Sequence, residues 1–290
     1  MEKQGENLKN TIREYNVKRT SAPFSKVFTI CSGKGGVGKT NIVLNLAVAL
    51  SQQGKKVLVI DADLGLANLD VLLGLAPKKN IQNVLEGEAL IEDIIINTKY
   101  GFQIIPASSG VEELTHLTRE QQIFILTQIT SLEKDLDYIL IDASAGISSN
   151  VIYFGLASQE IIVVTTPEPT ALADAYALIK IFNTKYNIQR IHLIINMVSS
   201  QMEAKKVFQR FSAIIDKFLN IQVSFLGHVP KDEGVPISVK EQKPFLIIDQ
   251  NSKASKSIKT ISKRLQKIQP LPQHRTDITY FWQKLFKSEE

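Results

Sequence analysis

The sequence predicts an α/β fold, with a doubly wound, mostly parallel sheet that carries helices on both faces. Seven short, almost continuously apolar runs recur along the chain, at 27–31, 57–60, 102–105, 138–141, 161–165, 191–196 and 223–227. Such runs are typical of parallel strands that are covered on both faces. Amphipathic helical segments lie between several of them, at 41–53, 119–133, 171–184 and 203–220. This βαβ alternation predicts one domain over residues 25–268.

The composition excludes several classes of protein. The chain has 290 residues, of which 44% are hydrophobic and 22% charged. It can therefore bury a sizeable core, and is neither disordered nor fibrous. Its formal net charge of +5 suits an anionic partner, whether nucleotide, nucleic acid or acidic lipid. The single cysteine, Cys31, excludes an internal disulfide and a cysteine-built metal cluster within one chain.

The first ten residues, MEKQGENLKN, are polar and mixed in charge, unlike a secretory signal. No apolar run approaches the ~18–20 residues that are needed to cross a bilayer. We therefore expect a soluble, cytoplasmic protein.

A glycine-rich segment, SGKGGVGKT at 32–40, lies between the first predicted strand and the first predicted helix. It matches the pattern G-x-x-x-x-G-K-[ST], in which main-chain N–H groups and the helix dipole surround phosphate oxygens. In this pattern Lys39 neutralises the β- and γ-phosphates, and the Thr40 hydroxyl binds Mg²⁺. The segment predicts a nucleoside triphosphate site formed by Gly33, Lys34, Gly35, Gly36, Val37, Gly38, Lys39, Thr40 and Asn41.

A second lysine, Lys34, stands at the start of this loop, where Lys39 leaves it little room beside its own phosphates. With the loop sequence KGGVGKT, the chain resembles the MinD/ParA group of P-loop ATPases. The resemblance implies a homodimer that sandwiches two ATP molecules and slowly hydrolyses them to ADP and phosphate, with Mg²⁺ as cofactor. It also implies that Lys34 reaches the partner's nucleotide and adds positive charge where the transferred phosphoryl group becomes more negative.

Two acidic residues, Asp61 and Asp63, follow the second predicted strand at its carboxyl end, where open α/β sheets bind ligands. A helix cap would need only one of them. The resemblance assigns Asp61 to the Mg²⁺ shell and Asp63 to positioning the attacking water. It assigns the segment GLANLD, 65–70, to a first switch, with Asn68 near the dimer face.

The fourth predicted strand ends in Asp142, in the Walker B arrangement YILID. The resemblance implies that Asp142 holds a magnesium-bound water, and that Ala145 and Gly146 report the γ-phosphate. The family usually has Asp-x-Pro-Ala-Gly here, whereas this chain has DASAG at 142–146, so we expect a looser second switch with its chemistry intact. The predicted catalytic residues are Lys34, Lys39 and Asp63, and the predicted metal-binding residues are Thr40, Asp61 and Asp142.

The resemblance also assigns two later strand ends to the base. Asn196 ends the sixth predicted strand, and its side chain is expected to hydrogen-bond the edge of adenine. Pro230 and Asp232 follow the seventh strand and are expected to surround the same ring. His228 is expected to be a structural loop residue, and the other histidines are too scattered to form a ligand cluster.

The C-terminal segment 275–290 carries a full apolar stripe at helical spacing, formed by Ile278, Phe281, Trp282, Leu285 and Phe286. It resembles the interfacial membrane helix of MinD-type ATPases, which DNA-segregating ParA proteins lack; the alternative is a helix docked on the core. One such helix binds lipid weakly and a dimer presents two. ATP-driven dimerisation would then control attachment to the inner face of the cell membrane.

Residues 1–24 form a polar extension that is either a disordered tail or a short recognition helix with Leu8, Ile12 and Tyr15 on one side. The FlhG branch of the family, also called YlxH or FleN, has such an extension. Its motif, Asp-Gln-Ala-x-x-Leu-Arg, stimulates the GTPase FlhF. Gln4 and Leu8 match that motif, whereas Lys3, Gly5 and Lys9 differ from it. The resemblance implies control of flagellar number or placement, with FlhF bound through residues 1–20, and flagellar switch (C-ring) proteins as further partners.

Two alternatives within the family stay open, a MinD-type division-site ATPase and a ParA-like ATPase that binds DNA. The basic segment 253–267 could serve the second, although its basic face is expected to be merely solvated behind Ile258, Ile261 and Leu265. We expect no specific nucleic acid partner. Iron–sulfur carriers and tyrosine kinases of this group lack support, because the chain has no Cys-x-x-Cys pair and no C-terminal tyrosine cluster.

Overall fold

The computed structural model describes residues 25–63, 68–107, 118–132 and 135–269. Within them, eight strands form one sheet with the spatial order β3-β4-β2-β5-β1-β6-β7-β8. All neighbouring strands are parallel except β3 and β4. The strands are β1 (Lys26–Ser32), β2 (Val57–Ala62), β3 (Ile96–Asn97), β4 (Gln103–Ile105), β5 (Tyr138–Ala145), β6 (Glu160–Thr165), β7 (Arg190–Val198) and β8 (Gln222–Pro230).

The predicted fold class is confirmed, and each of the seven predicted strands is present. The structure adds β3, which was not predicted because two residues are too few to show a periodic pattern. From β1 the chain moves to β2 on one side and later reaches β6 on the other. The direction of winding therefore reverses at β1, and ligands of open α/β sheets bind at such a reversal, beyond the carboxyl ends of the strands.

Ten α-helices and one 3₁₀ turn (Ile91–Ile94) connect the described strands. The helices are α1 (Lys39–Ser51), α2 (Leu69–Leu73), α3 (Ile81–Leu85), α4 (Arg119–Leu132), α5 (Ser149–Ala157), α6 (Pro169–Tyr186), α7 (Gln201–Phe218), α8 (Gly234–Lys240), α9 (Phe245–Ile248) and α10 (Lys253–Gln266). The prediction did not include α5, because its residues from Asn150 to Gly155 are all buried and leave no polar stripe. None of the described helices is long and apolar enough to pass through a bilayer.

Helices cover both faces of the sheet. On one face α1 is buried from Ile42 to Leu50, between the strands and α10. The apolar side of α10 that the sequence predicts, Ile258, Ile261 and Leu265, packs in this layer. On the other face α5, α6 and α7 pack against β1, β6 and β7. Because α1 is buried within this layer, the loop that precedes it is anchored to the hydrophobic core.

A buried ion cluster lies at the amino-terminal edge of the sheet. Glu160 accepts hydrogen bonds from Arg190, including one at 3.1 Å from Nε, and its Oε2 lies 2.9 Å from Nε2 of His192. Burial alone would raise the pKa of Glu160, but the hydrogen bonds to His192 and Arg190 outweigh it and hold the pKa below its usual value. Arg190 also donates to the carbonyl of Gln269. The cluster therefore ties β6 and β7 to Gln269, in the segment that follows α10.

We expect Glu160→Gln to lower the free energy of unfolding by roughly 3–5 kcal/mol, because it leaves Arg190 without its buried counter-charge. The depressed pKa adds stability that is present above the unfolded value of about 4.3 and is lost as the pH falls through the folded value. Urea unfolding should therefore show that the difference shrinks below about pH 4. The control is Glu241→Gln, which removes an exposed pair with Lys243 and should cost at most about 1 kcal/mol. Equal costs for the two variants would contradict this account.

Candidate functional site

The loop between β1 and α1 has the conformation that its glycines allow. Gly36 and Gly38 lie in the left-handed region, with φ of 78° and 84°, and Gly38 is the N-cap of α1. A Cβ atom built on Gly35 or Gly36 would meet no atom within 4 Å. The loop is therefore open on this side, where its main chain and the start of α1 can approach an anion.

The same loop is fitted tightly to its neighbours on its other sides. A Cβ atom on Gly33 would lie 2.3 Å from the main chain of Asp174 in α6. The N–H of Gly146, which follows β5, donates to the carbonyl of Ser32 at 2.9 Å. Both ends of the predicted second switch are therefore ordered here: residues 142–145 belong to β5, and Gly146 contacts the start of the loop.

A buried ion pair joins the loop to β5. The Nζ atom of Lys39 donates to Oδ1 of Asp142 at 2.6 Å, and both side chains are less than 10% exposed. Lys39 is the first residue of α1 and Asp142 lies near the carboxyl end of β5, so the sheet topology brings together two residues 103 positions apart. Buried charges of this kind cost desolvation energy, and the pair therefore points to a function more than to stability.

Asp61 lies beside Asp142, because the two residues are paired in the register of β2 and β5. Its carboxylate accepts hydrogen bonds from the main-chain N–H groups of Asp63, Asn68 and Leu69 at 3.1–3.3 Å. Burial, helped by the charge of Asp142, raises the pKa of Asp61 to about 7 in spite of these hydrogen bonds. Above this pKa the two carboxylates carry more negative charge than Lys39 alone balances, and below it Asp61 holds a proton.

Asp63 belongs to the same cluster. Burial raises its pKa, with Lys39 opposing and Asp142 reinforcing the shift. Of the predicted first switch, 65–70, the structure describes Asn68 onwards, and Asn68 precedes α2 as its N-cap residue. The carboxylate of Asp61 therefore holds both ends of the segment that carries this switch.

Lys34 projects towards α6 within its own chain. Its Nζ lies 3.2 Å from Oε2 of Glu168 and 2.9 Å from the hydroxyl of Thr170. Both partners of this ion pair are well exposed, at 40% and 65% of their side chains. Glu168 and Thr170 were not predictable from the sequence, because more than 130 residues separate them from Lys34 and no local pattern marks them.

The residues expected at the base lie at neighbouring strand ends but already have protein partners. Asn196 donates from Nδ2 to the carbonyl of Val37 at 2.7 Å. Asp232 accepts hydrogen bonds from the N–H groups of Gly234 and Ala254, which ties the end of β8 to the start of α10. Pro230 is the last residue of β8. His228 is within this strand, so the prediction of a loop position was wrong; its ring stacks on Phe225.

Three predicted segments lie outside the described residues. They are the extension 1–24, residues 65–67 of the first switch, and the C-terminal segment 275–290 with its apolar stripe. The predictions of a recognition helix and of a membrane helix stay predictions.

The described residues fit a phosphate chain and a magnesium ion. The space beside Gly35 and Gly36 is open, which leaves their main chain accessible to an anion. Thr40, Asp61 and Asp142 supply the hard oxygen ligands that Mg²⁺ prefers. Among the described residues there is no group of three or more His, Cys, Asp or Glu side chains that could hold a metal. The small ligand set of Thr40, Asp61 and Asp142 suits Mg²⁺, because this ion takes most of its ligands from water and substrate phosphates.

Comparison with known proteins agrees with this geometry. The family model ParA, described as NUBPL iron-transfer P-loop NTPase, matches residues 24–266. The chain belongs to the MinD/ParA family of P-loop ATPases. It is 37% identical to the antiactivator FleN of Pseudomonas aeruginosa over 261 residues, which cover 90% of this chain and 93% of FleN.

The flagellum site-determining protein YlxH of Helicobacter pylori is likewise 37% identical, over 268 residues that cover 90% of each chain. These two relatives place the chain in the FlhG branch of the MinD/ParA family. Among solved structures, the septum site-determining protein MinD of Pyrococcus horikoshii, complexed with Mg-ADP, aligns with a TM-score of 0.70 at 28% identity. That alignment covers 84% of this chain and 96% of the MinD chain.

The raised pKa of Asp61 predicts that this residue contributes less to the free energy of unfolding as the pH rises. An unfolded aspartate has a pKa of about 3.9, so between about pH 4 and pH 7 the folded protein holds a proton that the unfolded chain releases. The stability that comes from this proton is complete below about pH 4 and is lost as the pH rises through 7. Without nucleotide and in EDTA, urea unfolding should therefore show the wild-type protein losing free energy of unfolding relative to Asp61→Asn between about pH 5 and pH 8. A difference that does not vary with pH would contradict the assignment.

Proposed function

We propose that this protein is an ATP-driven molecular switch that regulates the number or placement of flagella. The observation that carries the proposal is the buried Lys39–Asp142 pair, next to Asp61 and at the end of a glycine loop whose main chain is accessible at Gly35 and Gly36. Its relatives FleN and YlxH carry names that refer to an antiactivator and to the siting of flagella. Iron transfer is not proposed, because the single cysteine, Cys31, is buried and burial raises the pKa of its thiol to about 12.

Each residue of the cluster has a separate task in the proposed hydrolysis. Lys39 and the loop bind the phosphates of ATP, while Thr40, Asp61 and Asp142 hold Mg²⁺. Asp63 orients a water molecule, and its raised pKa suits transient contact with the proton that leaves this water. Attack of the water on the γ-phosphorus breaks the bond to the bridging oxygen, giving ADP, phosphate and a proton that passes to solvent.

Lys34 is the proposed link to a second subunit. Its ion pair with Glu168 is exposed, and exposed pairs contribute at most about 1 kcal/mol. A partner's triphosphate, with several negative charges, is a stronger attractor than one solvated carboxylate. In the proposed dimer Lys34 therefore leaves Glu168 and contacts the partner's nucleotide, which makes dimerisation depend on ATP.

The ends of the chain complete the proposal. The apolar stripe of 275–290 attaches the ATP-bound dimer to the inner face of the cell membrane, from which hydrolysis releases it into the cytoplasm. Residues 1–20 contact FlhF, and the dimer also contacts C-ring proteins.

The switch is tested by Asp63→Ala, which should still dimerise with ATP but should no longer hydrolyse it. Light scattering should give the mass of a dimer with Mg·ATP and of a monomer with Mg·ADP. The ATP-bound dimer should sediment with anionic liposomes, and deletion of residues 275–290 should abolish this. Lys39→Ala is the control, which should neither dimerise with ATP nor sediment with liposomes. A monomer in ATP would contradict the switch, and salt-sensitive DNA binding that survives the deletion would favour the ParA-like alternative.

The cellular role is tested by deleting the gene in its host and counting flagella and minicells by electron microscopy. Altered flagellar number or position with normal division is expected. Wild-type protein should restore flagellation, whereas Lys39→Ala should not. Minicells with normal flagella would instead support a division-site ATPase.

A further inference from the structure

Asn196 is buried beneath the phosphate loop, with 8% of its surface exposed. Its amide nitrogen donates to the carbonyl of Val37 at 2.7 Å, across 159 residues of sequence. The fit is close, because a Cβ atom on Gly38 would lie 2.4 Å from the same nitrogen. A side chain at position 38 would therefore collide with Asn196, and glycine also tolerates the positive φ of this position.

A β-bulge directly follows Asn196. Asn196 pairs with Val229 and Val198 pairs with Pro230, so Met197 is the extra residue on β7. Met197 has a φ of 57°, which is rare for a residue with a side chain. Strained backbone of this kind persists where its surroundings enforce it, and it is concentrated at functional sites. The strand end is therefore built to present Asn196 to the loop.

The geometry of the peptide bond gives this contact a consequence. The peptide unit between Val37 and Gly38 is planar and trans, so its C=O and N–H groups point in opposite directions. An amide that fixes the Val37 carbonyl on one side therefore also fixes the direction of the Gly38 N–H on the other. Glycine on either side of Val37 would otherwise let this peptide unit rotate at little cost.

We propose that Asn196 is a positioning residue of the phosphate loop, which holds the Val37–Gly38 peptide so that the Gly38 N–H faces the phosphates. This inference rests on the proposed nucleotide site and deepens it. It differs from the expected contact with adenine, because it makes Asn196 matter for any ligand with a phosphate chain, whatever its base.

Calorimetric titration with Mg·ATP, Mg·GTP and Mg·pyrophosphate separates the two roles. Asn196→Asp preserves the shape of the side chain but faces the Val37 carbonyl with an oxygen, so the donor is lost. We expect the affinities for ATP and for pyrophosphate to fall by the same factor, roughly tenfold or more. A fall for ATP with unchanged pyrophosphate binding would overturn the proposal in favour of base contact, and so would unchanged binding of all three ligands.

Two further variants serve as controls. Asn183→Asp removes another amide that donates to main-chain carbonyls, those of Ile188 and Asn220, far from the loop, and it should leave all three affinities unchanged. Asn196→Ala removes the donor without adding a charge, and repeats the test if the aspartate variant does not fold. If wild-type protein binds neither ATP nor pyrophosphate, the proposed function itself has failed, which is a different result from a failure of Asn196 alone.

Discussion

The organisation of the molecule depends on two opposite charges held together in its interior, on Lys39 and Asp142. Removing both from water is expensive, and a well-packed apolar pair would stabilise the fold at least as well. The pair persists because two parallel strands and an enclosed helix meet at one edge. The loop after β1 delivers the lysine at the start of α1, and β5 delivers the carboxylate. The neighbouring Asp61, whose pKa burial raises to about 7, supplies a second negative charge once it is deprotonated, and a divalent cation can balance that charge.

Two charged groups of residues lie at opposite edges of the sheet. The cluster of Lys39, Asp61 and Asp142 is at the carboxyl ends of the strands, whereas the residues that follow α10 are held at the amino ends. There Lys26, at the start of β1, donates to the carbonyls of Gln266 and Ile268. Arg190, at the start of β7, holds Gln269. At ~3.3 Å per residue, a six-residue strand separates these edges by roughly 20 Å.

Much of this architecture follows from local sequence. The strands were predictable because a strand covered on both faces is apolar throughout, and the loop because its glycines and lysine have fixed spacing. The acids Asp61 and Asp142 were recognisable as the ends of such strands. Contacts between distant segments were not predictable, because no short pattern encodes them. The contacts of Lys34 with Glu168 and of Asn196 with Val37 both depend on strand order and, for Asn196, on a one-residue bulge. The sequence located the loop and the acids at the carboxyl edge of the sheet, and tertiary packing decided what each side chain touches there.

The central claim is that the Lys39–Asp142 junction is a binding site for the phosphates of ATP. The most direct measurement is calorimetric titration of Mg·ATP into the wild-type protein and into Lys39→Ala, with the folded state of each checked by circular dichroism. We expect saturable one-to-one binding per chain for the wild-type protein and no measurable binding for a folded Lys39→Ala. Equal affinities in the two proteins would contradict it, because the buried ion pair would then be structural and the nucleotide would bind elsewhere.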